Sequence, residues 1–282
     1  MSVKITSDST CDLGEWVEKR DIAIMHLQVT LDDKVYHDGV DITPQDIFDF
    51  VARTRILPKT NAPSIVEYEE FFEEQLKSCD ELVHFSISAR SSSSCQFAKT
   101  AAEKFNGRVR VIDTMALSSG QGLLVLKGAD LRDEGKTAAE IEEEINGLRT
   151  RVNTSFVPDQ LDYLHKGGRV SGMVFFIANA LKIHPKIVMN EGQLMQGGKY
   201  RGNMLRCLTQ YIQDLKREYP SYDKARCFIT HSSADADLVE QIKKQVKTEF
   251  EFEEIIETVA GSIITSHCGQ GTLGVLFIYN KR

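Results

Sequence analysis

The chain is short of several things, and each shortage narrows what it can be. No apolar run approaches the roughly 20 residues that cross a bilayer, which argues against stable membrane insertion. Six cysteines (Cys11, Cys79, Cys95, Cys207, Cys227 and Cys268) are scattered with no C-x-x-C pair, so a zinc or thioredoxin-type signature is lacking and free thiols are expected. Positive charge is not in excess: the net charge is −7, which argues against general nucleic-acid binding. There is no P-loop, no paired catalytic carboxylates and no metal-ligand cluster. Neither a G-x-S-x-G elbow nor an S-x-x-K motif of a serine hydrolase occurs. The start, Met1-Ser2-Val3-Lys4-Ile5-Thr6, enters a strand without the apolar core of a signal peptide, so a cytoplasmic location is expected.

What is present is an ordinary globular composition, 41% hydrophobic and 27% charged over 282 residues. At about 150 residues per domain this predicts two domains. Charge is unevenly placed. Between Arg151 and Gln210 eight Lys/Arg face three Asp/Glu, a net of +5 that leaves −12 for the remainder. A basic segment in an acidic protein suits an anionic ligand or an acidic partner face. Neutralisation by the acidic helix around Glu140–Glu144 is the alternative.

Strand and helix patterns alternate through the first half. Val3–Ile5 predicts a strand that ends in the polar loop Thr6–Asp12, and Asp12 with Glu15 reads as a capping box for a helix over Leu13–Arg20. Asp8-x-Thr10 lacks the second acid of a phosphatase Asp-x-Asp. Ile22–Leu31 reads as one strand-like run. Thr43-Pro44 starts a helix, and Ser64 with Glu67 caps another that carries Ile65, Tyr68, Phe71, Phe72 and Leu76 on one face. Thr60 precedes that helix in an extended loop, its hydroxyl free to face a pocket. Leu82–Ile87 is a strand leading into Ser88–Ser94, where serine hydroxyls and free backbone N–H groups ahead of a helix offer an anion site or a simple N-cap. Val109–Ile112 is a further strand, followed by helices over Ser118–Asp133 and Ala138–Arg149. The alternation predicts a parallel-sheet α/β domain over residues 1–150.

The second half, residues 151–282, reads as an α+β domain with two or three antiparallel strands and helices on one face. A short helix over Gln160–His165 leads to the basic Gly-rich turn Lys166–Gly172. Met173–Leu181 is almost wholly apolar, which fits deep burial or the wall of a lipophilic cavity; Phe175, Phe176, Ile177 and Leu181 are its candidate lining residues. Ile187–Met189 and Gln193–Met195 flank Asn190-Glu191-Gly192 as a hairpin. Near the C-terminus two strand-like runs bracket Thr265–Gly271, placing His267 where a strand gives way to a Gly-rich loop.

The polar candidates are thus Thr60, the serines at 91–94 and His267, all hydrogen-bond formers suited to holding a carboxylate. With an apolar wall beside them they describe a site for an amphipathic acid such as a fatty acid. A serine with His267, or Cys268 beside it, allows a hydrolase of acyl esters or thioesters as the rival. Neighbouring strand residues point to opposite faces, so His267 and Cys268 are poorly placed to pair, and binding outranks catalysis.

Four stretches carry a more specific resemblance. Ser7–Leu13, Thr60–Ser64, Ser155–Val157 with Tyr163–Ser171, and Gly261–Gly271 resemble, in order, the motifs of the DegV family over nearly the whole chain. This chain has Ser92-Ser93-Ser94 where the family has Ser-Gly-Thr, Gln270 where it has proline, and His184-Pro185-Lys186-Ile187 for its Lys-Pro-Ile run. The resemblance implies a two-domain fold with one long-chain fatty acid in a tunnel between the domains. It implies a separate fatty-acid kinase that phosphorylates the bound carboxylate to an acyl-phosphate, with no catalysis, cofactor or metal in this chain. The carboxylate contacts would fall on Thr60, Ser92 and His267. The basic residues for kinase docking and phosphate handling would fall on Arg169 and Arg201. A lipid sensor without a kinase partner is a third reading.

Overall fold

The computed structural model describes residues 2–171 and 182–281. Seven strands belong to the first half: β1 (Val3–Asp8), β2 (Ile22–Met25), β3 (Gln28–Leu31), β4 (Lys34–His37), β5 (Lys59–Asn61), β6 (Glu81–Ser86) and β7 (Val109–Asp113). Four form a parallel sheet in the order β2-β1-β6-β7, with Ile5 beside Ile22 on one side and Val83 on the other. Its alternating side chains feed two cores, as period-two geometry requires. Leu82 and Val109 meet Tyr68 and Phe72 of α3 (Ile65–Gln75) and Ala98 and Ala101 of α4 (Ser94–Ala102). Ile5, Val83 and Phe85 meet the helices after β7 instead. Labels α1 and α2 denote Trp16–Lys19 and Pro44–Thr54.

The Ile22–Leu31 run is not one strand. It divides between two sheets: β2 pairs with β1, while β3 joins β4 and β5 in a separate antiparallel sheet ordered β4-β3-β5. The break at His26-Leu27 lets Leu27 and Val29 pack with Ile42, Ile47 and Ile263 in a small core of their own. Thr60 therefore sits on an edge strand, opposite Val29, rather than in a loop.

The second half is larger than two or three strands. Eight strands form one mixed sheet: β8 (Val152–Asn153), β9 (Ser155–Val157), β10 (Val170–Ser171), β11 (Ile183–Asn190), β12 (Gln193–Arg201), β13 (Tyr222–His231), β14 (Glu254–Val259) and β15 (Leu273–Tyr279). The β11–β12 hairpin closes at the expected Glu191-Gly192 turn. The pairs β10–β12 and β13–β14 are parallel. Helices cover both faces. With α5 (Ser119–Asp133), α6 (Ala138–Leu148) and α7 (Asp162–Gly167) numbered first, α8 (Met204–Glu218) and α9 (Ala236–Glu249) bury Leu208, Tyr211, Ile242 and Val246 on one face. On the other face Phe228, Ile256 and Leu276 share a core with α5 and with Ile5 and Phe85 of the parallel sheet. Of the 15 residues of α5, 11 are buried, because this helix is packed by a sheet on each side.

The acidic helix α6 does not neutralise the basic segment. Glu142 pairs with Arg110 at 2.7 Å, Glu144 with Lys127 at 3.7 Å and Glu140 with Lys136 at 3.8 Å, all within the first half. Among the described residues Lys166, Lys199, Arg201 and Arg206 form no ion pair, whereas Lys186 is buried against Glu218 at 2.5 Å. Phe175, Phe176, Ile177 and Leu181 lie outside the described residues. No helix among the described residues is long and apolar enough to cross a membrane, and no group of metal-ligating side chains occurs among them.

Candidate functional site

His267 is on a helix, not at a strand end. α10 spans Ser262–Cys268, begins after Gly261 and stops at Gly269, whose φ is 74°. Its sequence, SIITSHC, is rich in β-branched residues that favour strands, so local preference does not explain it. Its first N–H groups are satisfied from far away in the chain. Asp12 Oδ1 accepts Gly261 N at 2.9 Å, and Asp38 Oδ1 accepts Ser262 N at 2.7 Å. The remaining oxygens accept Ser118 Oγ at 2.5 Å and Ser9 Oγ at 2.8 Å. A β-carbon on Gly261 would stand 3.1–3.2 Å from oxygens of both acids, so any side chain there would press on the clamp. Burial pushes the Asp12 carboxyl up to about 8 and raises that of Asp38. Asp12, in a left-handed conformation, is thus not the cap of a Leu13–Arg20 helix; α1 covers only Trp16–Lys19.

Asp8 is similarly committed to structure. It is fully buried and accepts Ile87 N at 2.7 Å, Gln121 Nε2 at 2.8 Å, Ser86 Oγ at 3.1 Å, and the Thr10 hydroxyl. Its oxygens face donors of the fold rather than a pocket. The polar motif at the end of β1 is a joint between elements.

At the other end of α10, His267 Nε2 and Thr60 Oγ1 are 2.9 Å apart. His267 Nδ1 is buried without a hydrogen-bond partner, facing Gly167 of α7, where a β-carbon would come within 2.8 Å of it. Burial, and secondarily the Arg169 guanidinium, lowers the imidazole pKa to about 4. The ring is therefore neutral at neutral pH, one nitrogen a donor and the other an acceptor.

The serine run is a braced turn. Ser91 N and Ser92 N both donate to Ser88 O, at 2.9 and 3.2 Å, while Ser88 Oγ donates to Gly192 O at 2.6 Å. Ser92 Oγ accepts Ser94 N at 3.2 Å and lies 2.8 Å from Ser94 Oγ. It caps α4 locally and also lines a cavity.

That cavity, about 360 Å³, brings together Thr60, Ser92, His267 and Arg169, with Ser91, Ser93 and Arg90 beside them. It is also lined by aliphatic side chains: Leu27, Ile87, Leu117, Leu164, Leu194, Ile263 and Ile264. Arg201 does not line it. No Asp or Glu is among its described lining residues. Such a space offers neutral hydrogen-bond donors, cations and hydrocarbon contact together, the composition of an amphipathic anion site.

The hydrolase alternative lacks its geometry. The ring partner of His267 is a threonine, and no hydrogen bond joins it to any serine of 91–94. The Cys268 thiol is buried and pushed up to about 12, far from a thiolate at neutral pH. Three contributors were missed from the sequence: Arg90, hidden within the serine run; Gly167, whose lack of a side chain admits the imidazole; and the Asp12/Asp38 clamp.

A family model described as an uncharacterised protein of the DegV family matches residues 2–280. A DegV domain-containing protein of Clostridium acetobutylicum is 31% identical over 98% of each chain. A DegV family protein from Thermus thermophilus, whose structure is described as showing fatty-acid binding, superposes with a TM-score of 0.92 at 29% identity, covering 99% of this chain and 100% of the other. A DegV lipid-binding protein from Thermotoga maritima gives 0.86 at 25% identity with 100% of both chains covered. The fold, a parallel α/β sheet joined to a mixed sheet, is that of these two-domain proteins. With its motifs, its architecture and its full-length match in agreement, the chain belongs to the DegV family.

Proposed function

We propose that this protein binds a long-chain fatty acid and presents its carboxylate to a separate fatty-acid kinase. The observation that carries the reading is one cavity lined both by Thr60, Ser92 and His267 and by seven aliphatic side chains. The fatty-acid and lipid binding described for the Thermus and Thermotoga relatives supports it. In this reading the carboxylate takes hydrogen bonds from the Thr60 and Ser92 hydroxyls and from the His267 ring. Each is worth about 1.5–3 kcal/mol when the acceptor is charged. The acyl tail gains about 0.8 kcal/mol per buried methylene along the aliphatic side chains of the cavity.

The ligand lies between a domain of residues 1–150 and a domain of residues 151–282. Arg169, at the cavity, handles the head group. Arg201, outside it and without an ion pair among the described residues, docks the kinase. The protein acts in the cytoplasm as a carrier, and the phosphoryl-transfer chemistry belongs to its partner.

The test is a reconstituted assay with a fatty-acid kinase, ATP and the loaded protein. The reading expects acyl-phosphate to form only when both proteins are present. It expects Arg201→Ala to abolish turnover while the fatty acid stays bound. Turnover of an acyl ester by the protein alone, lost in His267→Ala, would contradict it in favour of a hydrolase.

A further inference from the structure

Ser118 stands at a costly point of the backbone. It follows the cavity residue Leu117 and immediately precedes α5, with φ 54° and ψ −149°. Glycine takes that combination freely, whereas a residue with a β-carbon takes it only where its surroundings hold it there. A serine directly ahead of a helix ordinarily turns its hydroxyl onto the free N–H groups of that helix. Ser118 makes no such bond.

The hydroxyl goes elsewhere. Ser118 Oγ donates to Asp12 Oδ2 at 2.5 Å, across 106 positions of the chain. Asp12 is itself left-handed, with φ 49° and ψ 41°, so neither partner of this bond sits in an ordinary backbone well. The other oxygen, Asp12 Oδ1, accepts Gly261 N at 2.9 Å, and Gly261 is the residue on which α10 begins. With a donor on each oxygen the carboxylate cannot turn without breaking a charge-assisted hydrogen bond. From there α10 runs only seven residues, to Cys268. His267, in its last turn, lies 2.9 Å from Thr60 Oγ1 through Nε2. Ser118 is thus joined to the imidazole through one carboxylate and one short helix, although it is not among the residues that line the head-group cavity.

We propose that Ser118 is a positioning residue for the fatty-acid site: its hydroxyl fixes the Asp12 carboxylate and, through α10, the imidazole of His267. The inference rests on the fatty-acid reading and deepens it. The strained backbone of Ser118 marks the role. Glycine at this point would ease the backbone but free the carboxylate, so relief of strain and placement of the ring pull in opposite directions. A residue that served only to stabilise the fold would show no such conflict.

Two variants test this. Ser118→Ala keeps the strained backbone and removes the hydroxyl; Ser118→Gly removes both. Each is compared with the wild type in melting temperature and in affinity for palmitate and hexadecanol, read by displacement of a fluorescent fatty acid. Ser118→Gly is expected to melt above Ser118→Ala. Both lose palmitate affinity to the same extent, about tenfold, as loss of one charge-assisted contact implies. Hexadecanol, which brings no charge, changes about threefold or less. Affinity that instead follows stability, with Ser118→Gly near the wild type, overturns the inference. So does an equal loss for hexadecanol, which would place the effect on the tail. Histidine-labelled NMR spectra of the unliganded proteins read the ring itself, with the His267 signal assigned by its absence in His267→Gln. In the wild type burial lowers the pKa of this ring to about 4; in both variants it should take up its proton at higher pH. An unchanged titration overturns the inference. A wild type that binds no palmitate overturns the fatty-acid reading, and the histidine titration then decides the role of Ser118 alone.

Discussion

His267 is neutral because it is buried, and that neutrality has a measurable consequence. Its pKa falls to about 4 in the folded protein from an ordinary value of 6.5. Between those values the unfolded chain binds a proton that the native ring refuses, so this contribution to stability is present above pH 6.5 and is lost as pH falls toward 4. His84, fully buried and lowered to about 3, adds to the same decline and extends it to lower pH. Replacing His267 with Gln is expected to make the wild-type decline shallower between pH 6.5 and 4 and to leave the limb below pH 4 unchanged. Urea midpoints measured across that range check it; an unchanged slope would mean that the ring titrates normally. Gly167 offers a second residue-scale prediction. Alanine there sets a β-carbon where His267 Nδ1 now lies 2.8 Å away, on a helix that tolerates alanine better than glycine by up to about 1 kcal/mol. Gly167→Ala should therefore weaken fatty-acid binding at least about tenfold with no loss of melting temperature. Equal affinity would mean that the position of the His267 ring does not govern binding of the acid.

The helix that carries His267 shows what a sequence hides. Thr43 and Ser64 are readable as caps because their partners stand three residues on, and both form capping boxes. The caps of α10 stand 249 and 224 positions away, so no local pattern announces them. The stretch Gly261–Cys268 then reads as strand on its β-branched residues. Thr60 and His267 are legible as candidates, a hydroxyl and an imidazole in polar stretches beside apolar runs, and both line the cavity. Their hydrogen bond is not legible, because it joins an edge strand to a helix end across 207 positions. The clamp makes a prediction at this scale. Asp38→Ala strips a buried N–H of its acceptor and should destabilise the protein by about 1–3 kcal/mol. Asp38→Asn keeps an acceptor oxygen and should lose less, as should its fatty-acid affinity. Denaturation midpoints and binding isotherms for the pair check this. Equal losses in the two variants would show that the carboxylate's geometry, not its capping, is what matters.

Across the whole molecule, α5 ties the parallel sheet to the mixed sheet through one continuous core, and residues of both halves line the cavity. Strand–helix alternation made the first half legible. The second half was underestimated because short strands such as β8 and β10, two residues each, carry no periodicity to read. Charge is divided at this scale too: the acidic helix spends its carboxylates on its own half, while Lys166, Lys199, Arg201 and Arg206 form no ion pair among the described residues. In the proposed function a fatty acid fills the cavity, with its carboxylate on Thr60 and His267. Mass spectrometry of the organic extract tests it most directly, with purified wild type beside the Thr60→Ala/His267→Ala double variant. Wild-type protein is expected to carry about one long-chain acid per chain, and the variant little or none. A wild type that carries no lipid, under conditions in which a known carrier keeps its own, would contradict it.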